Sequence, residues 1–272
     1  MCHPLPAQPA VPQQPALKRQ VSYREQLVKW NPFSVKNLAL CYEFRTGREA
    51  RRIQVVPDAC LDFLFRLDQT GPSAVVTGVQ TAPVTLELAP DAVYFGFKPY
   101  STKGMRSLTA PWTELREQRT DLGDLTPCGR ILEQLDQAAS FAERVQAIRG
   151  FALETLADTG YHPDFVEYAE LKMCRAFGNL RVEDLADYTG YTGRYCREKF
   201  KEAHGISIKR YSNIIRVQNA IRMLSREEPP EIADVVFENG YFDQSHLNRE
   251  FRLYTGDTPL HYCQSLHRAG GA

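Results

Sequence analysis

A fifty-residue self-similarity near the C-terminus constrains this chain more than any other feature. Val182, Asp184, Leu185, Gly190 and Tyr191 are matched by Ile232, Asp234, Val235, Gly240 and Tyr241 at an offset of 50. Beyond the glycine the offset becomes 51, and Phe200, Gly205 and Tyr211 match Phe251, Gly256 and Tyr262. One residue added to the second turn explains the change. A repeat of this kind is one supersecondary unit used twice.

Each copy has the layout of a helix-turn-helix. In the first, residues 182–189 make a short helix with Leu185 and Ala186 inward. Gly190 then reverses the chain, because glycine takes the left-handed conformation without steric cost. Tyr191 reads as the apolar plug behind the turn. Thr192 is suited to cap the next helix, since its hydroxyl accepts from a free backbone N–H. That helix keeps Tyr195 or Cys196, and then Lys199-Phe200, near the core, and sends Arg194, Arg197, Glu198 and Lys201 outward. In the second copy Pro229-Pro230 fits the first turn of a helix running to about Asn239. Gly240 turns the chain, Tyr241 plugs it and Asp243 caps. Leu247 and Phe251 face in, while Gln244, Ser245, His246, Asn248 and Arg249 face out. Residues 208–224 between the copies read as one long amphipathic helix burying Tyr211, Ile214, Ile215, Val217, Ile221 and Leu224.

Net charge is zero, so any attraction to a polyanion must come from charge distribution. Residues 192–222 hold eight Lys or Arg against two acids, whereas residues 226–243 hold one Arg against six acids. The basic surplus lies on the first unit and the connecting helix, where cations can neutralise phosphates and release counterions. The outward side chains suit base edges: Arg pairs with guanine, Gln or Asn with adenine, and a carboxylate accepts from cytosine. Glu198 is equally suited to pairing with Arg194 or a neighbouring lysine. Two such helices about 34 Å apart enter successive major grooves of a duplex.

The front of the chain is different. Residues 1 to about 16 are rich in Pro, Gln and Ala, and residues 1–20 read as a disordered tail. From about 35 to 110, Leu61, Phe63, Phe65 and Leu67 alternate with Asp62, Leu64, Arg66 and Asp68. Further short apolar runs follow at Val75-Val76, Val84–Leu88 and Val93–Phe97, separated by Gly and Pro, as in a small barrel or sandwich. From about 124 the period becomes helical, with two helices broken around 137–140. These either pack on the barrel or form a dimer seam. Gly160-Tyr161-His162-Pro163 reads as a linker. The expected class is α+β in two domains: residues 21–160, and an all-α domain over 161–272.

Several functions are excluded by absence of their chemistry. No apolar run approaches the ~18–20 residues of a membrane span. After His3 the next histidine is His162, beyond the strands, so no His-ligated metal is expected in the barrel. No nucleophile-elbow or phosphate-loop motif occurs. The seven cysteines form no CxxC pair and read as thiols of a reducing compartment. No enzyme, cofactor or membrane association is expected, and the location reads as cytoplasmic.

The stretch from about 165 to 265 resembles the DNA-binding domain of the AraC/XylS regulators of bacteria. The carrying motifs are LADYTGYTGRYCREKFKEAHGISIKRY and DVVFENGYFDQSHLNREFRLYTGDTPLHY. In the second, Gly240, Asp243, Ser245, Phe251, Gly256, Thr258 and Pro259 fall where the family pattern puts them. Gly193, Cys196 and Val236 depart from it. The resemblance implies seven helices, with base-facing positions on Arg194, Arg197 and Glu198, then Gln244, Ser245, His246 and Arg249. Tyr195, Lys201 and Asn248 complete the candidate DNA-binding set. The front half, through VPDACLDFLF and VTGVQTAPV, is more weakly similar to the family's cupin-like sensor domains. That implies a role in effector binding or homodimerisation, with Phe63, Phe65, Tyr94 and Phe97 as pocket candidates or simply core. The resemblance implies double-stranded DNA as partner, a transcription activator acting with RNA polymerase, and a small-molecule effector. The competing reading is a dimeric interaction or scaffold protein without specific DNA binding.

Overall fold

The computed structural model describes residues 12–268. Its N-terminal part is an antiparallel β-structure of two sheets. The strands are β1 (Val21–Lys29), β2 (Leu38–Arg45), β3 (Arg51–Val55), β4 (Asp62–Leu67), β5 (Ser73–Thr77), β6 (Val84–Leu88), β7 (Val93–Pro99) and β8 (Arg119–Asp121). Six form one sheet in the order β1-β2-β7-β4-β5-β8, and β3 pairs with β6.

Alternation along the strands assigns each side chain to a face. Cys41, Phe97 and Phe63 lie in register across β2, β7 and β4. With Ala39, Phe65 and Phe95 they form one apolar face. Two helices cover it, α3 (Gly129–Gln137) and α4 (Phe141–Phe151), through Ile131, Leu135, Val145 and Ile148. These helices follow a short α2 (Leu122–Leu125), and α4 continues into a π-helical turn at Ala152–Leu156. The break between α3 and α4 falls where the sequence places it, and the helices pack on the sheet. The opposite face, carrying Leu40, Tyr42, Phe44, Leu64 and Tyr94, packs on Ile53, Leu86 and Leu88 of the small sheet. Central strands are therefore apolar on both faces, and burying each such Phe or Leu is worth about 1.5–3 kcal/mol.

Two expectations fail here. A short helix α1 (Pro15–Lys18) stands inside the expected disordered tail, and Leu17 is 3% exposed in the inter-sheet core. Gln14 ties this segment to β3's end, donating to Val56 O at 2.6 Å and accepting from Val56 N at 3.0 Å. One buried leucine and a doubly bonded amide outweigh the proline-rich composition. The remainder of the tail, with Cys2 and His3, lies outside the described residues. Strand content also begins earlier than residue 35, at β1.

The C-terminal part is helical: α5 (Phe165–Arg175), α6 (Val182–Thr189), α7 (Gly193–His204), α8 (Ile208–Leu224), α9 (Ile232–Glu238), α10 (Gln244–Thr255) and α11 (Pro259–Arg268). The connecting helix α8 has the bounds read from the sequence. Ser207 caps it, accepting from Arg210 N, and it is buried on most sides because the other helices pack around it. Pro229 and Pro230 precede α9, whose N-cap is Glu231, instead of forming its first turn.

The β-structure and the helices share an extensive polar seam. Ser34 Oγ and Lys36 N donate to the buried Glu167 carboxylate on α5. Ser101 Oγ donates to Glu170 at 2.6 Å. Gln218 of α8 donates to Pro57 O at 2.8 Å, and Arg210 to Thr81 O at 3.2 Å. Arg116 donates to Gly205 O at 2.7 Å, and the Gln54 side chain lies against Gly256. The β-structure thus touches the C-terminal ends of both α7 and α10.

Candidate nucleic-acid interface

The two helix-turn-helix units are built by the same local rules. Gly190 (φ +72) and Gly240 (φ +65) occupy the left-handed region at the bend. At Gly240 a Cβ would also run into the Asn179 side chain, so the second bend needs glycine for space as well as for backbone. Thr192 accepts from Tyr195 N at 3.2 Å, and Asp243 Oδ1 accepts from His246 N at 2.7 Å. Each cap satisfies a free N–H at the start of a helix whose solvent face carries the candidate residues. Cys196, Phe200 and His204 at four-residue spacing bury α7, and Leu247, Phe251 and Tyr254 bury α10.

Tyr241 is the plug expected of it, 5% exposed, with the Arg216 guanidinium 5.1 Å above its ring. Tyr191 is not: it is 46% exposed, edge-on to Phe165 at 5.6 Å and tilted over Tyr195 at 4.6 Å. In the first unit α5 offers Phe165 as a surface partner, so the tyrosine packs sideways. Cys196, not Tyr195, takes the inward position. Lys199 is exposed and paired with Glu202 at 2.7 Å, contrary to its expected place near the core.

Arg197, Ser245, His246, Asn248 and Arg249 come together on the walls of one cleft of about 1140 Å³ between the units. The cleft is thus walled mainly by α10, with α7 contributing Arg197 alone. Arg194, Tyr195, Glu198, Lys201 and Gln244 are exposed but do not line it. Arg194 Nε donates to Glu198 at 2.9 Å. Arg197 reaches Glu183 on α6 at 3.1 Å. His246 is half-buried, edge-on to the Tyr241 ring at 5.3 Å, with Nε2 3.6 Å from Glu250.

Sequence reasoning missed four cations of the cleft. Arg181 and Arg252 lie outside the basic window of residues 192–222, and Lys209 and Arg216 stand in that window with no role beyond their charge. Phe242, 91% exposed immediately before the α10 cap, was also missed. Its signal was masked by Tyr241, the aromatic neighbour that does plug the turn. The aromatic pocket candidates Phe63, Phe65, Tyr94 and Phe97 are core residues, none more than 4% exposed. Among the described residues no helix is long and apolar enough to cross a membrane, and no cluster of metal-ligating side chains occurs.

This arrangement defines a double helix-turn-helix module, and comparison with known proteins agrees. The family model described as a helix-turn-helix domain matches residues 185–265, from within α6 to α11. An HTH-type transcriptional regulator of Staphylococcus aureus (strain MSSA476), SAS0078, is 26% identical over 84 residues, covering 31% of this chain and 11% of the relative. The regulator YbfI of Bacillus subtilis is 31% identical over 69 residues, covering 25% of this chain and 24% of YbfI. The chain thus spans about a tenth of the staphylococcal relatives it matches. Among solved structures, an apo ToxT variant from Vibrio cholerae aligns over 84% of this chain and 97% of its own, at 15% identity and TM-score 0.46. The C-terminal domain of AraT from Geobacillus stearothermophilus aligns over 38% of this chain and 86% of its own, at 24% identity and TM-score 0.35. The C-terminal part of this chain, over residues 185–265, is a helix-turn-helix domain.

Proposed function

We infer that the chain is a sequence-specific, DNA-binding transcription regulator that performs no catalytic step. The observation carrying this reading is that the helix-turn-helix unit occurs twice, each second helix capped and ended by a left-handed glycine, with a cation-lined cleft between the units. Arg194, Arg197, Gln244, Ser245, His246, Asn248 and Arg249 supply the base-reading groups, with Tyr195, Glu198 and Lys201 beside them. The Arg194–Glu198 and Arg197–Glu183 pairs are exposed. Exchanging such a pair for a bidentate guanine contact costs little, because exposed ion pairs are worth only about 0–1 kcal/mol.

A mobility-shift titration with promoter-derived duplexes tests this. The wild type should discriminate among duplexes, and R194A/R197A should bind with lost discrimination. If the two proteins bind alike, the recognition assignment falls. If neither binds, the chain is an interaction protein. Control by a small molecule has weaker support: the aromatic interior is filled, and the cavity between the two sheets, lined by Asp58, Asp62 and Lys98, is about 50 Å³. A thermal-shift screen of metabolites on the full chain tests it, and flat curves would favour a dimerisation role for the N-terminal part.

A further inference from the structure

We propose that the outer edge of β1 docks a second copy of this chain, as an antiparallel strand centred on Leu27, so that two six-stranded sheets join edge to edge.

β1 closes one end of the six-stranded sheet and pairs with β2 alone. Trp30 N donates to Asn37 O at 3.0 Å, continuing the β1–β2 register by one step. In an antiparallel ladder, hydrogen-bonded and non-hydrogen-bonded positions alternate. Arg24, Gln26 and Val28 therefore spend their backbone groups on β2, whereas Glu25, Leu27 and Lys29 turn theirs outward. Those three residues are exposed, and among the described residues none makes a backbone hydrogen bond outside the β1–β2 ladder. A row of free N–H and C=O groups is a template for another strand. Leu27 stands in the middle of this row, 38% exposed.

The charges on the edge select both the partner and the register. A copy related by a two-fold axis runs antiparallel and sets outward residues opposite outward residues. Centred on Glu25, the ladder opposes two carboxylates. Centred on Gln26, it sets Glu25 against Leu27. Centred on Leu27, it sets Glu25 against Lys29 twice, by symmetry, and the two exposed leucines cover each other. Opposite charges directly across a ladder stabilise it, and like charges destabilise it. Of these registers the last alone matches charge and apolar surface together, and a strand so complementary to itself fits a second copy. The Glu25 carboxylate has room for the incoming lysine. Lys18 Nζ donates to Oε1 at 2.7 Å and the Tyr23 hydroxyl to Oε2 at 2.6 Å, one donor on each oxygen. The register shifts between Val21 and Arg24, which keeps the start of the strand out of the new ladder and confines pairing to residues 25–29. An isologous contact of this kind closes at two copies.

The test uses the full chain without DNA, so its failure and that of the DNA-binding reading are separate. Sedimentation equilibrium over a concentration series should show wild type passing from monomer to dimer. E25K makes both cross-strand charge pairs repulsive and should raise the dimer dissociation constant about tenfold, and E25K/K29E should recover most of that loss. Mild oxidation should link L27C into a covalent dimer, because facing hydrogen-bonded positions hold their Cα atoms about 5.5 Å apart, within disulfide reach. Q26C should link no more than wild type, whose own cysteines set the background. A wild type that stays monomeric, a dimer that E25K leaves unchanged, or Q26C linking more readily than L27C overturns the proposal. Melting curves identify a charge variant that fails to fold, and the comparison of L27C with Q26C then decides.

Discussion

Lys36 Nζ lies 3.5 Å from Glu170 Oε2, with 4% and 1% of the two side chains exposed, and this pair joins the β-structure to the helices. His204, the last residue of α7, brings Nε2 within 2.9 Å of Glu170 Oε1, a close contact without hydrogen-bond alignment. Lys36 also reaches the Tyr211 hydroxyl at 3.3 Å. One carboxylate on α5 therefore holds a lysine from the first half and the end of a recognition helix.

Burial alone would raise the Glu170 carboxyl, but Lys36, His204 and the Ser101 hydroxyl outweigh it and hold the group down at about 2. A folded value below the unfolded one, 4.5, means that this group stabilises the fold fully above about 4.5. The contribution, on the order of 3 kcal/mol, should drain away as pH falls from about 4.5 towards 2. Urea midpoints measured across that range should fall for wild type and be much flatter for E170Q. K36A, which removes the buried carboxylate's lysine partner, should cost about 3–5 kcal/mol at neutral pH.

The two bends should respond unequally to alanine. G190A meets only the left-handed backbone cost of about 1–2 kcal/mol, because no atom lies within 4 Å of the added Cβ. G240A meets the same backbone cost and the Asn179 side chain too, so its melting temperature should drop further. G240A/N179A should recover part of the difference.

R194A should leave stability within about 0.5 kcal/mol of wild type, since the Arg194 side chain is 87% exposed. In a duplex panel it should cost about 1–3 kcal/mol on the preferred sequence and less on others. Equal loss on every duplex would make Arg194 a backbone contact.

Leu17 tests whether the N-terminal segment belongs to the fold. L17A should cost about 2–5 kcal/mol, as for a leucine truncated in a core. A change under about 0.5 kcal/mol would return residues 12–20 to the tail.

The helical part was legible because its signals are local. The α8 bounds follow from apolar spacing at Tyr211, Ile214, Ile215 and Leu224, and the caps at Thr192 and Asp243 lie close behind the glycines that precede them. β1 was not legible: it is an edge strand whose Arg24, Glu25 and Gln26 face solvent, so no apolar alternation marks it. α1 was hidden by the prolines around Leu17. The cleft escaped for a different reason. Arg181, Lys209, Arg216 and Arg252 come from separate elements, and charge counted along the chain does not reveal which cations converge in space or which acids neutralise them. Arg197 and Glu183, fourteen positions apart, meet only because the first bend folds α7 back on α6.

Gly205 ends one recognition helix and Gly256 ends the other, and each is touched by a different piece of the β-structure, through Arg116 and Gln54. The first half of the chain therefore braces α7 and α10 at the same end of each, and a rearrangement of Arg116 or Gln54 would be felt first at the base of the helix it touches.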